Sequence, residues 1–397
     1  MSSTSRYRST GKSHQRPIFW SAPSSAFSGK TRGYISKSGL EVEERFANEP
    51  RFHEEIVPLI GYFVVPVIEL EDGLLLQDTT DGIMYLEDHL PDKIQNSLVP
   101  KTPMVKATAH LINLLGTDGF HKPGMHYRWT YEHRQEGFLD SAFADWVAPQ
   151  SGVTRKEQTA NFTSDYLPAL GIRKETHKVI EQAWEECLDI LNEHFKACPY
   201  MLGSAPTIAD CGFMTMVWAH LARDPVPAYL MRTRAPMVSR WAERMVKLPW
   251  FDGGFPTADP ETMASDTIPA TLVPFLKYLF ARIAPETVAS VKAFNKLMAE
   301  KPNLKSGDYL DDANQLSAHP TCGEIEFDLL GTTVKRLAFF DSSFQVQTFL
   351  AALQTLTPED RDAFVDKMSK FGGADLLALT VDRPIEYHHY RYRLAEG

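Results

Sequence analysis

Cysteine is scarce in this chain of 397 residues. The four cysteines lie far apart and form no Cys-x-x-Cys pair; they are Cys187, Cys198, Cys211 and Cys322. Such spacing indicates neither a disulfide framework nor a zinc site. We therefore expect a protein of a reducing compartment, the cytoplasm, without a metal centre.

Concentrated positive charge is lacking as well. The formal net charge is -10 and the isoelectric point is about 5.7, whereas nucleic acids and anionic membrane surfaces bind dense clusters of Lys and Arg. No apolar run approaches the roughly 20 residues that a membrane helix requires, and no signal-peptide hydrophobic region is found. We expect neither a nucleic-acid partner nor a membrane partner.

Residues 1–16 lack acidic side chains and contain Arg6, Arg8, Lys12 and Arg16. With almost no apolar residue, this composition is typical of a disordered tail. An organelle transit peptide is the alternative, but the stretch is short and has no amphipathic apolar face.

The most informative stretch covers residues 64–87. A β-branched apolar run at 64–70, the turn signal Asp72-Gly73 and a short apolar run at 74–77 predict a β-hairpin. The segment Asp78-Thr79-Thr80-Asp81 then offers N-cap residues for a following amphipathic helix. The unit is predicted to be strand, turn, strand and capped helix.

Pro66 follows two valines at the start of the first of these strands. Because proline has no amide hydrogen for a central ladder, it must lie at an edge or a bend. If the Val65–Pro66 bond is cis, the N–H and C=O of Val65 point outward and can pair with an extended peptide ligand. An ordinary structural hairpin is the alternative.

An earlier strand, helix and strand are predicted upstream of the hairpin. Residues 17–20 form an apolar strand pattern, Ser24 and Ser25 precede a helical stretch, and residues 40–47 can form a second strand. The amides and dipole at such a helix start favour an anion, including a thiolate. The whole of residues 17–91 therefore has the thioredoxin-like order of elements.

This order resembles the thioredoxin-like domain of the glutathione S-transferase superfamily, of its serine-type cytosolic members in particular. The matching residues are Val65-Pro66-Val67, Asp72-Gly73, Gln77-Asp78-Thr79-Thr80-Asp81-Gly82-Ile83 and Tyr85-Leu86. The resemblance implies that Val65, held before Pro66, binds the cysteinyl backbone of glutathione. It also implies that Asp78 and Thr79 bind the γ-glutamyl end.

The resemblance further implies a thiol-activating residue just after the first strand, ahead of the triplet Lys30-Thr31-Arg32. Counting back gives Ser25, with Ser24, Ser21 and Ser28 as alternative registers. A thiol with a pKa of about 8.5 is mostly protonated at neutral pH, and a hydroxyl donor plus helix-start amides lower that value. A serine that only caps the helix is the alternative. The absence of cysteine here argues against thiol-reductase chemistry.

Beyond a linker at residues 91–103 the hydrophobic period becomes helical, most clearly at 174–195. Residues 203–210, Gly-Ser-Ala-Pro-Thr-Ile-Ala-Asp, resemble the start of the central helix in the all-helical transferase domain, with Thr207 and Asp210 at capping-box spacing. These features predict an all-α domain.

Two histidine-rich stretches allow a functional or a structural interpretation. Residues 126–131, His-Tyr-Arg-Trp-Thr-Tyr, either bind the electrophilic substrate or form a packing cluster. His388 and His389 are adjacent, so in a strand they point to opposite faces, which disfavours a metal site.

The last part of the chain, residues 251–397, exceeds the usual two-domain transferase. Its predicted elements are two helices over 269–299 broken at Pro285, a hairpin over 324–340 around Gly331, and helices at 342–356 and 358–371. These suffice for a small α+β unit whose role cannot be inferred from the sequence.

The predicted organisation is a disordered tail at 1–16, an α/β thioredoxin-like glutathione-binding domain at 17–91, an all-α domain at 101–250 and an α+β extension at 251–397. The resemblance implies a homodimeric enzyme of detoxification that activates glutathione, its cosubstrate, for conjugation to, or cleavage of, a hydrophobic electrophile. A catalytically silent protein-interaction module is the alternative.

Overall fold

A computed structural model of the protein describes residues 6–146, 152–247, 253–255, 265–312 and 319–396. Its first part is a four-stranded sheet with packed helices. The elements are β1 (Ile18–Ser21), α1 (Ala26–Ser38), β2 (Glu43–Phe46), α2 (Val57–Ile60), β3 (Val67–Glu69), β4 (Leu75–Leu76) and α3 (Thr79–His89).

The sheet has the strand order β2-β1-β3-β4, with β1 parallel to β2 and antiparallel to β3. Every residue of the central strand β1 is buried, whereas the edge strand β2 is largely exposed. The segment between β2 and β3 is helical, because a π-helical turn at Phe52–Ile56 leads directly into α2. The predicted thioredoxin-like order is confirmed.

The Val65–Pro66 peptide bond is cis and lies just before β3. The β3–β4 hairpin turns at Gly73, whose φ is 80°. A side chain is disfavoured there for a second reason, since a Cβ on Gly73 would come within 2.6 Å of the Thr10 hydroxyl and 2.7 Å of the Lys12 carbonyl oxygen.

Residues 6–16, here called the N-terminal strap, do not form a disordered tail. The Thr10 N–H donates to the Gly73 carbonyl at 2.9 Å, the Thr10 hydroxyl donates to the buried Glu69 carboxylate at 2.7 Å, and Tyr7 is buried. The prediction of disorder is therefore wrong for these residues, because composition does not reveal that the β4 edge offers unpaired backbone groups. Residues 1–5 lie outside the described residues.

The second part is helical. Its helices are α4 (Pro103–Gly119), α5 (His121–Thr130), α6 (Glu136–Phe143), α7 (Arg155–Asn161), α8 (Leu167–Ala169), α9 (His177–Ala197), α10 (Ile208–Met216), α11 (Pro225–Arg234) and α12 (Pro236–Met245).

The predicted capping box starts α10. The Thr207 hydroxyl caps the first turn while the Asp210 carboxylate accepts from the Thr207 N–H at 2.9 Å. Asp210 also accepts from the Trp241 indole N–H at 2.9 Å, so one buried carboxylate joins α10 to α12. Residues 248–250, the end of the predicted last helix of this domain, lie outside the described residues.

The extension contains helices and two hairpins. Its elements are α13 (Val273–Tyr278), α14 (Ala284–Glu300), β5 (Thr321–Leu329), β6 (Thr332–Phe339), α15 (Phe340–Gln354), α16 (Pro358–Lys370), α17 (Ala374–Leu377), β7 (Ile385–His388) and β8 (Arg391–Leu394).

The predicted break at Pro285 does not occur. A π-helical turn at Leu279–Ile283 joins α13 to α14 without interruption, and Pro285 occupies the first turn of α14. Because proline has no N–H, Pro285 cannot donate a bond to the preceding helical turn, and the wider π-helical turn lies directly before it.

The extension packs against both earlier parts. Helix α15 lies on α4, and the Tyr390 hydroxyl of the β7–β8 turn donates to the Leu75 carbonyl at 3.1 Å. A buried carboxylate on α14, Glu286, pairs with Lys122 of α5 and Arg336 of β6. No helix within the described ranges is long and apolar enough to cross a membrane. We keep the boundaries 17–91, 101–250 and 251–397 as a proposal.

Candidate functional site

A cavity of about 750 Å³ lies where the three parts of the chain meet. The sheet side contributes the predicted glutathione residues, the helical part contributes aromatic side chains together with charged and polar ones, and the extension contributes acidic, aromatic and basic groups. The predicted residues that line it are Ser24, Ser25, Val65, Pro66, Asp78 and Thr79.

Ser25 is the N-cap residue of α1. Its hydroxyl accepts from the Ser28 N–H at 3.3 Å and donates to the Val65 carbonyl at 3.4 Å, and both bonds are long for their kind. The Ser25 hydroxyl therefore makes only weak hydrogen bonds within the protein and lies beside Val65.

Ser24 has a different environment. Its hydroxyl donates to the Ala142 carbonyl at 2.9 Å and accepts from the Trp146 indole N–H at 2.5 Å. Its carbonyl accepts from Arg128 at 2.8 Å. The Ser24 hydroxyl is thus bonded within the protein on both sides, which distinguishes Ser24 from Ser25 among the registers that the sequence leaves open.

Val65 presents backbone groups to the cavity beside the cis bond to Pro66. Its carbonyl accepts only the long bond from Ser25, and its N–H makes no hydrogen bond to another described residue. An extended peptide can therefore pair with Val65 in the manner of an added strand.

Asp78 caps α3 from an unusual backbone conformation. Its φ is 75°, and one carboxylate oxygen accepts from the Thr80 and Asp81 N–H groups at 2.9 and 2.8 Å. A left-handed φ in a non-glycine residue is uncommon and marks a constrained position. The turn holds Asp78 and the neighbouring Thr79 at the cavity wall.

The β7–β8 hairpin closes this end of the cavity with tyrosines, a contribution that the sequence did not predict. The Tyr387 hydroxyl donates to the Gln77 side-chain oxygen and lies 3.0 Å from the Tyr62 hydroxyl. Burial raises the pKa of Tyr62 to about 12, so it is neutral at physiological pH.

A second extension group here is Asp341, at the start of α15. It accepts from the Tyr392 hydroxyl at 3.0 Å. Burial, followed by repulsion from Asp118 and Asp78, raises the pKa of Asp341 to about 8. The Asp341 carboxyl group, which lies near Asp78, is therefore largely protonated and uncharged at pH 7.

The opposite side of the cavity is aromatic. Trp129, Phe143 and Phe162 line it, and the Trp129 and Phe162 rings stack with centroids 5.1 Å apart. Flat aromatic walls favour a hydrophobic, aromatic ligand. This side could not be predicted from the sequence, because α5, α6 and the turn after α7 meet only in the folded chain.

The stretch 126–131 is divided between the cavity wall and the interior, and a role in binding the electrophile stays a prediction. Trp129 and Arg128 line the cavity, and Arg128 is fixed by Asp224 at 2.6 Å. His126 instead packs inside and bonds Glu181 at 2.8 Å.

His388 and His389 do not form a metal site in the described residues, where no group of three or more potential ligands occurs. His388 lies 2.8 Å from the Tyr309 hydroxyl through Nδ1. This hydrogen bond joins two residues of the extension, Tyr309 and His388.

The comparisons with known proteins identify the class of the helical part. Residues 163–249 match the family model described as "Glutathione S-transferase, C-terminal domain". This match lies in the helical part of the chain, behind the thioredoxin-like domain, and agrees with the resemblance found in the sequence.

Three of the similar solved structures are matched over nearly the whole length of their own chains. The crystal structure of the beta-etherase LigF from Sphingobium sp. strain SYK-6 is 19% identical, covers 61% of this chain and 99% of that chain, and has a TM-score of 0.41. Glutathione transferase GSTFuA3 from Phanerochaete chrysosporium is 14% identical, with 60% and 99% covered and a TM-score of 0.40. Glutathione transferase F7 from Populus trichocarpa is 16% identical, with 63% and 98% covered and a TM-score of 0.36. The search of curated proteins found no match.

Proposed function

We propose that the chain binds glutathione and activates its thiol for attack on a hydrophobic electrophile. The observation that carries the proposal is that Ser25, Val65, Asp78 and Thr79 all line one cavity whose other side is aromatic. A peptide thiol and an apolar electrophile would then meet between the two sides.

Each residue has a distinct role in the proposal. The N–H and C=O of Val65 pair with the cysteinyl backbone, and Asp78 with Thr79 binds the γ-glutamyl end. Ser25 donates its hydroxyl proton to the thiolate once the long bond to the Val65 carbonyl is given up. A charge-assisted bond of that kind stabilises the thiolate by about 1.5–3 kcal/mol.

The direct test is isothermal titration calorimetry with glutathione, followed by turnover of a generic thiol acceptor. Binding with turnover is expected. Heat without turnover would favour the silent interaction module, and no heat together with no retention on immobilised glutathione would contradict the proposal.

The remaining expectations from the resemblance are a homodimer, a cytoplasmic location and a role in detoxification. Light scattering tests the first, because a mass near the 44.8 kDa of one chain would contradict a homodimer.

A further inference from the structure

A second pair of ionisable groups faces the cavity at the junction of α4 and α5. Asp118 ends α4 and His121 begins α5, and both line the cavity. The Asp118 carboxylate lies 2.9 Å from Nδ1 of His121, which is also 3.1 Å from the Asp118 carbonyl oxygen. The imidazole is thus held through one nitrogen by a carboxylate, which fixes its orientation.

The other nitrogen, Nε2, makes no hydrogen bond to a described residue. The contacts of the His121 ring are with Asp118 and with Phe27, whose ring centroid lies 5.5 Å away. Ser25, Phe27 and His121 all line the cavity, so the imidazole lies at the cavity wall next to the helix that begins after Ser25. Nε2 is the atom that remains for a ligand.

The extension keeps the carboxylate of this pair ionised. Burial, which opposes ionisation, is outweighed by the hydrogen bond and charge of His121 and by Arg336 and His319, so the pKa of Asp118 is lowered. The Ser342 hydroxyl of α15 donates to the second carboxylate oxygen at 3.4 Å. An ionised Asp118 stabilises a positive charge on the imidazole that it holds.

The other histidines around the pair are not equivalent proton donors. Burial, together with the nearby charge of His121, lowers the pKa of His319 to about 4. Burial and the charges of Arg128 and His121 lower the pKa of His220 as well. Both are neutral at pH 7, whereas His121 is held by a carboxylate at one ring nitrogen and makes no hydrogen bond to a described residue through the other.

We propose that His121 is a general acid that protonates an oxygen leaving group of the electrophile as the glutathione thiolate displaces it. The inference rests on the proposed function. The glutathione thiolate forms an S–C bond as the C–O bond breaks, and Nε2–H of His121 protonates the departing oxygen. The proton of the glutathione thiol goes to solvent, and His121 takes up a proton from solvent after the transfer. In sum, glutathione and an aryl ether give a thioether and a phenol.

Asp118 is the positioning residue in this step. Its carboxylate stabilises the imidazolium before transfer and holds the ring, without touching the substrate. A chloride leaving group needs no proton, whereas a phenoxide of high basicity does, so general acid catalysis discriminates between the two.

The test compares phenacyl chloride with phenacyl ethers of 4-nitrophenol, 4-chlorophenol and phenol in the full-length protein. In His121→Gln we expect kcat/KM for the phenyl ether to fall by about 100- to 1000-fold. The loss should shrink for the 4-nitrophenyl ether and be smallest for the chloride. Because the ratio between substrates is measured in one preparation, a partly unfolded variant does not distort it.

Two further variants define the roles. Asp118→Asn should lower kcat/KM with the same dependence on leaving-group basicity, but by a smaller factor. The matched control is His133→Gln at an exposed position, which should leave the kcat/KM ratios between substrates unchanged. An equal loss on all four substrates in His121→Gln, or no loss on the phenyl ether, would overturn the inference. Activity that does not depend on the basicity of the leaving group would still agree with the proposed glutathione function.

A binding measurement tests the same contact without turnover. 4-Nitrophenol, the leaving group itself, is titrated into the wild type and His121→Gln in the presence and absence of S-methylglutathione. At least tenfold weaker binding to the variant is expected in both conditions. Equal affinity would refute a contact between Nε2 and the phenol oxygen.

Discussion

At the scale of single residues, two adjacent serines have opposite roles. The Ser24 hydroxyl is bonded on both sides, to Ala142 and Trp146, whereas the Ser25 hydroxyl makes two long bonds. The cost of turning a hydroxyl toward a ligand is smallest where its existing bonds are weakest. This difference selects Ser25 for our first prediction.

Ser25→Ala should lower the rate with a generic thiol acceptor about ten- to hundredfold at neutral pH, since it removes a bond made to the thiolate alone. Glutathione affinity should change little, because the proposed binding groups are elsewhere. The pH–rate profile should show partial rescue at higher pH. If the loss appeared instead in Ser24→Ala, the register would be off by one residue.

Asp341 gives a prediction on stability and pH. Its pKa is raised by burial and by neighbouring carboxylates to about 8, so between about pH 4 and 8 the folded protein holds a proton that the unfolded chain releases. Stability from this group is therefore lost as the pH rises. Between pH 5.5 and 7.5 the wild type should lose about 2–3 kcal/mol of unfolding free energy that Asp341→Asn does not lose.

The measurement for Asp341 is urea unfolding at both pH values, with Asp375→Asn, at an exposed position, as the control. A pH dependence equal to that of the wild type would show that Asp341 is ionised in the folded protein.

At the scale of elements, the N-terminal strap covers an edge that β4 would otherwise leave open. The strap exchanges backbone hydrogen bonds with β4 and its turn, and its Thr10 and His14 side chains bond the fully buried Glu69. A buried carboxylate is stable only while its partners remain. The strap is therefore part of the folded domain.

Deletion of residues 1–16 should reduce the unfolding free energy by about 3 kcal/mol or more, since four backbone bonds and two donors to Glu69 are lost together. Deletion of residues 1–5 alone removes none of these contacts and is the control. The denaturation midpoints of both truncations check this. A strap deletion as stable as the control would mean that the strap contributes no net stability.

At the scale of the whole molecule, the extension is joined to the rest by buried contacts and does not behave as an appended domain. Glu286 of α14 is held between Lys122 and Arg336, and Tyr387 reaches the predicted γ-glutamyl end through Gln77. Separating the extension would expose unpaired buried charges and remove one wall of the cavity.

We therefore expect the described parts to unfold in one cooperative transition. The seven tryptophans all lie at or before residue 250, so their fluorescence reports on the two transferase-like domains. Amide exchange in the β5–β6 hairpin reports on the extension. Equal urea midpoints are expected, and an extension that opens at distinctly lower urea would contradict this coupling.

The sequence alone determined the thioredoxin-like order and the helical domain, and it singled out Ser25, Val65, Asp78 and Thr79, which line the cavity. These features are written in short-range patterns: a proline before a β-branched strand, Asp72-Gly73 at a turn, Asp78 ahead of a helix and Thr207 with Asp210 in a capping box. Local periodicity and capping act over a few residues, so they can be identified without knowledge of the fold.

Only the tertiary structure decided the strap, the continuous helix through Pro285 and the composition of the cavity. The strap depends on an open sheet edge more than 50 residues away in sequence. The pair of Asp118 and His121 acquires its charge environment from Arg336 and Ser342. Such long-range juxtapositions leave no periodic signal, because burial and electrostatics depend on which surfaces meet after folding.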